Sequence, residues 1–286
     1  MNKSEVIEKI MEQQDSNGCW NVEHNKDNYG PELTYYVPTY KSTLWTLVLL
    51  ADIETDRNDQ RLKKPLKIIT EHFWNEEYGI FTIGKSHFPI PCLNGNMIYL
   101  LKYFNMNEDD RIECIVDFFS EYQRFDDGDF RTPKSFPYYS NKSCYSKHTC
   151  YWGVVKLLKG LSFIPKDNRS EKTQSLIQMC IDFVLMHEVC YSSHNPDKLL
   201  HPMIGRLTIP NMYKSDFLEI LWILSREKVR SDKMLKAHEL LKNKMKNGDT
   251  WELERQVQNL IVPITKERLG NALITKRAKE VTTFFG

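Results

Sequence analysis

The side chains best suited to chemistry crowd into one short stretch, Cys144-Tyr145-Ser146-Lys147-His148-Thr149-Cys150, just ahead of an apolar segment. Thiolate sulfur and imidazole nitrogen are zinc ligands, and a catalytic zinc keeps one of its four positions open for water or substrate. If the stretch is helical, Cys144 and His148 share a face, four residues apart; Cys150 joins them only through a turn. Cys92, in Pro91-Cys92-Leu93-Asn94-Gly95, opens another apolar segment and is the fourth candidate ligand. The plainer alternative is that these cysteines are small buried hydrophobes and that His148 caps a helix. Cys19, Cys114 and Cys180 fall at turn or amphipathic positions and read as structural. Among the carboxylates, Asp216 and the Asp126-Asp127 pair stand where a general acid or base is worth testing.

The elements that must position these groups repeat. Four glycines, each closely followed by a large aromatic, recur: Gly18-Cys19-Trp20, Gly79-Ile80-Phe81, Gly128-Asp129-Phe130 and Asn247-Gly248-Asp249-Thr250-Trp251. The period is about 50 to 60 residues, with the last gap about two periods, longer than in short helical solenoids. Glycine suits a helix C-terminus because it enters the left-handed region without a Cβ clash. Each glycine follows an amphipathic stretch, near 3–13, 60–73, 108–122 and 231–245, and a fifth such stretch covers 171–187. Between them lie segments that are apolar nearly all round, beginning at Leu44, Met97, Tyr151 and Phe217; a last inner helix is expected over 266–283.

One-sided helices alternating with two-sided helices describe an outer and an inner layer. The expected fold is therefore all-α: an α/α toroid, a double-layered helical barrel of about five hairpins, occupying 1–286 as a single domain. In such a barrel all inner helices run the same way, so their N-termini gather at one mouth. Cys92, the 144–150 stretch and Asp216 then meet there, where helix N-termini also lower thiol pKa values and favour anions. The long connection carrying His187, Cys190, His194 and His201 could add a ligand, as long loops are often functional; because it follows an outer helix, it is expected rather to be a polar loop emerging at the other end of the barrel.

The first turn reads Gln14-Asp15-Ser16-Asn17-Gly18-Cys19-Trp20, which resembles the Q-x-x-x-G-x-W motif of squalene and oxidosqualene cyclases; Gln123 to Phe130 is similar with offset spacing. The glutamine amide can bond backbone groups at a helix end while the aromatic stacks over it, a structural role. The resemblance, to the terpenoid cyclase and protein prenyltransferase superfamily, implies a toroid whose central cavity accepts an isoprenoid. The D-x-D-D acid string of the class II cyclases does not occur. Asp109-Asp110-Arg111-Ile112-Glu113 imitates the metal-diphosphate motif of class I synthases, but it opens an outer helix, where acids favour the helix dipole. Protein prenyltransferases and lanthionine cyclases hold zinc at such a mouth to activate a thiol; this chain shares their ligand types, and neither their Cys-His nor their Asp-x-Cys pair is evident.

Three functions follow as expectations. The first is a cyclase- or prenyltransferase-like enzyme with a hydrophobic substrate among Trp45, Tyr99, Trp152, Tyr213, Phe217 and Trp222, whose ring faces stabilise cations. The second is a zinc enzyme acting on thiols or modified peptides through Cys92, Cys144, His148 and Cys150. The third is a non-catalytic lipid or protein binder.

Bulk properties narrow the partners. The formal net charge is +1, so no whole-molecule field draws nucleic acid. The basic run 226–246 lacks interleaved aromatics and reads as a solvated outer helix. No apolar run approaches the ~20 residues that span a bilayer. An N-terminal stretch without a signal-peptide core, together with seven cysteines, an odd number, points to reduced thiols in the cytoplasm.

Overall fold

The computed structural model describes residues 2–20, 30–37, 39–85, 87–106, 110–139, 143–246, 248–267 and 269–286. Glu108, Asp109 and Asn247, which belong to segments discussed above, lie outside them. The chain is mostly helical. Ten α-helices are present among the described residues: α1 Lys3–Met11, α2 Thr43–Asp52, α3 Lys63–Phe73, α4 Pro91–Tyr103, α5 Arg111–Tyr122, α6 Tyr151–Ser162, α7 Glu171–Met186, α8 Phe217–Arg226, α9 Leu235–Asn243 and α10 Gly270–Phe285. Each coincides with a stretch whose periodicity predicts a helix.

Burial follows the two kinds of sequence. Every residue of α2 is buried, and α4 is buried at all but two of its positions. In α3, by contrast, only Pro65, Leu66, Ile69, Thr70 and Phe73 are buried, one stripe at helical spacing. The hydrophobic core takes in residues from Val6 to Val281.

The even-numbered helices pack beside one another. Between α4 and α6 the backbones approach so closely that only glycine fits. A Cβ on Gly95 would lie 2.1 Å from the Lys156 carbonyl oxygen, and one on Gly160 would lie 2.3 Å from the Gly95 carbonyl oxygen. Pro91 meets Gly153 near the two N-termini, so α4 and α6 run in the same direction. Successive pairs α2–α4, α4–α6, α6–α8 and α8–α10 are in contact, and Lys276 of α10 reaches back to Glu54, just past α2.

Three of the glycine–aromatic turns, those at Trp20, Phe81 and Trp251, are stitched by related hydrogen bonds. The Trp20 indole donates to the Ile10 carbonyl in the last turn of α1 (2.8 Å), and the Trp251 indole donates to Leu241 in α9 (2.8 Å). Each tryptophan's backbone N–H also donates to a threonine on the following even-numbered helix, Thr43 at 3.0 Å and Thr275 at 2.9 Å. Phe81 makes the corresponding backbone pair with Asn94 of α4. Gln14 donates to Gly18 (2.8 Å) and Arg61 (3.3 Å) carbonyls, bracing the turn and a neighbouring element rather than the end of its own helix.

One feature departs from an all-α chain. After α3 the strands β1 Trp74–Asn75, β2 Ile80–Ile83 and β3 Phe88–Pro89 form a small antiparallel sheet, with Trp74 opposite Phe81 and Ile83 opposite Phe88. Ile80-Phe81-Thr82-Ile83 is a run of β-branched and aromatic residues, which pack well on a pleated surface. The fold is thus mostly helical with a three-stranded sheet. Among the described residues, no helix is long and apolar enough to cross a membrane.

Candidate metal centre

Two short antiparallel bridges shape the segment before α6, in place of a helix. Tyr145 pairs with Thr149, and His148 pairs with Asp127 of the third glycine turn. The second bridge draws the imidazole to the carboxylate: His148 Nδ1 lies 2.9 Å from Asp127 Oδ1. Gly128 makes room for it. Its φ is +113°, and a Cβ there would sit 2.8 Å from His148 Cε1, so a side chain would meet the ring.

The third member comes from the long connection after α7. His194 Nε2 lies 3.1 Å from the Asp127 backbone oxygen and 3.4 Å from its carboxylate. The ligand atoms of Asp127, His148 and His194 all fall within 4.8 Å of one another. Asp127 is half-buried, with 19 % of its side chain exposed, whereas His148 and His194 are open at 55 % and 69 %. Ser193 donates its hydroxyl to Asp127 Oδ2. Burial pushes the Asp127 carboxyl up, but the hydrogen bonds from Ser193 and His148 outweigh it and hold it below the ordinary carboxylate value. One carboxylate and two imidazoles suit zinc or a similar divalent ion and leave positions for water or substrate.

The expected position of the His187–His201 connection is therefore corrected. Tyr151, the first residue of α6, donates to the carbonyl of Val189 just past the end of α7. The loop leaving α7 starts at the α6 N-terminal side and reaches Asp127 there. His194, which the sequence offers only as a secondary ligand in a polar loop, is the third member of the group. The cluster of histidines in a long loop is its signal in the sequence, and the loop lies at the opposite end of the molecule from the one expected.

The four expected zinc ligands separate. His148 turns to Asp127, while the three cysteines lie near one another on the other side of the bridge. In the register of Tyr145 with Thr149, Cys144 stands opposite Cys150, and the two thiols influence each other. The neighbouring Cys144 thiol, with backbone N–H groups of Gly153 and Trp152 at the start of α6, lowers the Cys150 thiol. Burial raises Cys92 to about 12. The three sulfurs do not gather within 4.8 Å as a ligand set; among the described residues the Asp127 group alone does so. All seven cysteines are free.

The expected acid–base residues divide likewise. Asp216 is the N-cap of α8, accepting from the Glu219 (2.8 Å) and Thr208 (2.6 Å) backbone N–H groups. Its burial raises the carboxyl to about 7. Asp126 is held by Arg124 at 2.6 Å. Of the expected substrate aromatics, Tyr99 and Trp222 line a pocket at the C-terminal ends of α2, α4, α6 and α8. Trp45 and Phe217 are buried in the core; Trp152 donates to the Ser215 carbonyl, and Tyr213 stacks on Tyr40.

What stands between the even-numbered helices is a network of charge. Lys159 of α6 bridges Asp52 of α2 (2.8 Å) and Glu219 of α8 (2.7 Å), and Lys156 bonds Glu219 at 2.8 Å, all four side chains 0 to 1 % exposed. Tyr99 of α4 donates to Asp52, and Arg277 of α10 adds its charge to Asp52 and Glu219. Burial raises Glu219, but the ammonium groups of Lys156 and Lys159 and the Arg277 charge prevail and bring it down to about 2.

No family model matches the chain, and no curated protein does either.

Proposed function

We propose that the protein is a metal-dependent enzyme of the zinc class, with Asp127, His148 and His194 as ligands at the mouth of an α/α toroid. The observation that carries this reading is the mutual approach of those three ligand atoms within 4.8 Å on a solvent-accessible rim. Support for the toroid is the convergence of Asp52, Tyr99, Lys156, Lys159, Glu219 and Arg277, which draw on α2, α4, α6, α8 and α10 together.

Bound there, zinc would supply Lewis acidity and lower the pKa of a coordinated water or thiol. The chain's own residues prepare the place. Ser193 fixes one Asp127 oxygen, the Asp127–His148 bridge fixes one imidazole, and Gly128 admits the ring. The exposure of both histidines lets a large substrate, such as a peptide, approach. An isoprenoid would need an apolar chamber among the even-numbered helices; ammonium and carboxylate groups occupy that place, so the chemistry is assigned to the rim.

Isothermal titration of chelator-stripped protein with Zn²⁺ tests the site. One stoichiometric ion is expected, lost in His194→Ala and in His148→Ala. Unchanged affinity in both variants would refute the assignment. Hydrolysis of an activated ester and of bis(p-nitrophenyl) phosphate, with His148→Ala as the blank, tests the catalytic half.

A further inference from the structure

A second site lies at the other ends of the even-numbered helices, independent of the metal rim. There Asp52 closes α2, Tyr103 closes α4, Phe163 follows α6 and Arg226 closes α8, around a cavity of about 450 Å³. Arg57, Arg226 and Arg277 all line it, and among the described residues none of the three is in an ion pair within 4 Å. We propose that this cavity binds a phosphate-bearing small organic molecule, its oxyanion on these guanidinium groups and its apolar body against Phe163 and Trp222.

Arg277 carries the argument furthest. It is only 9 % exposed and lies within α10, so it is not one of the arginines that decorate helix C-termini. Its Nη1 is buried with no hydrogen-bond partner. Asp52 and Glu219 balance its charge from a distance, without a hydrogen bond to it. A buried guanidinium with an unfilled donor is costly, and an oxyanion that accepts from it removes the penalty.

Arg226 and Arg57 have a simpler explanation as cations near helix C-termini. Their ring contacts add more. Arg226 lies over Phe163 at 4.3 Å and Trp222 at 5.1 Å, and Arg57 lies over Tyr103 at 4.9 Å. A stacked guanidinium keeps N–H groups at its edge for phosphate oxygens.

The pocket's acids are already engaged. Asp52 accepts from Lys159 and from the Asn211 backbone, Glu54 from Lys276, Glu280 from the Trp222 indole and Asp56 from the Asn58 backbone. The cavity is of a size that holds small organic ligands, more room than inorganic phosphate needs.

Calorimetry with phenyl phosphate and with inorganic phosphate, in EDTA so that no rim metal contributes, tests the proposal. Phenyl phosphate is expected to bind one to one, tighter than inorganic phosphate. Arg226→Gln should weaken it about tenfold, the worth of a charge-assisted hydrogen bond. Arg277→Gln should abolish it, and Arg206→Gln, outside the pocket lining, should leave it unchanged. If Arg277→Gln does not fold by circular dichroism, Arg226→Gln decides. Absence of binding to the wild type at millimolar ligand, equal affinity for the two phosphates, or an Arg226→Gln affinity within twofold of wild type would each overturn it.

Discussion

The buried network between α2, α6 and α8 and the rim group around Asp127 use the same kinds of side chain to opposite ends. In the interior, Lys159 spans two carboxylates and Lys156 adds the Asn211 carbonyl to its Glu219 partner, so both ammonium groups are met on two sides. Their charges are out of water, and removing one partner strands the others. At the rim, Asp127 is fixed by Ser193, but His148 and His194 remain more than half exposed. Saturated and dry, ionisable groups hold helices in place; anchored on one side and wet on the other, they keep valences for a ligand. Titratable residues alone do not mark a site: what matters is which of their bonds are already made.

The sharpest way to break the comparison is Glu219→Gln. It leaves the two lysines short of a counter-charge and should cost about 3–5 kcal/mol in urea unfolding. The pH dependence follows the same group. Its folded pKa, about 2, lies below the ordinary 4.5, so its stabilisation is complete above 4.5 and fades as pH falls toward 2. The wild-type unfolding midpoint should drop through that window, and the Glu219→Gln midpoint should drop less. Parallel curves would mean that the network is not what acid dissolves.

Next in size is the rim. His194→Ala should weaken Zn²⁺ binding by about 100-fold or more, beyond what loss of an outer partner costs, with a melting temperature close to wild type. A marked loss of stability would place His194 with the structural group instead. Ser193→Ala should weaken Zn²⁺ about tenfold, because Asp127 loses the donor that orients it; no change would mean that the bridge alone positions the carboxylate. Smallest is Ser170→Ala, which removes the hydroxyl that accepts from the Thr173 backbone at the start of α7. It should cost about 1 kcal/mol and leave metal affinity untouched, separating stability from site.

Much of the scaffold was legible in the chain. The ten helices fall on the periodic segments, because local periodicity reports which face a helix buries; the glycines, expected at helix C-termini, lie beyond them, the C-caps of α1, α3, α5 and α9 being Glu12, Trp74, Gln123 and Lys244. The small sheet is not legible in the chain, because strands of two to four residues are too short to set a period. Asp127 and His148 both stood out as reactive types, though in different proposed roles; nothing local said that they meet. Lys156 and Lys159, three apart in an otherwise apolar α6, were the unread sign of the interior network.

The sequence by itself determined where helices form and that α2, α4, α6 and α8 are largely covered all round, since these depend on neighbours within a few residues; α10, expected among the inner helices, is buried along one stripe only. Only the tertiary structure decided that His148 leaves the cysteines for Asp127, that His194 joins them across 67 residues, and that Arg277 is left facing a pocket. Those outcomes depend on strand register and helix direction, which bring together residues remote in the chain and which no local pattern encodes.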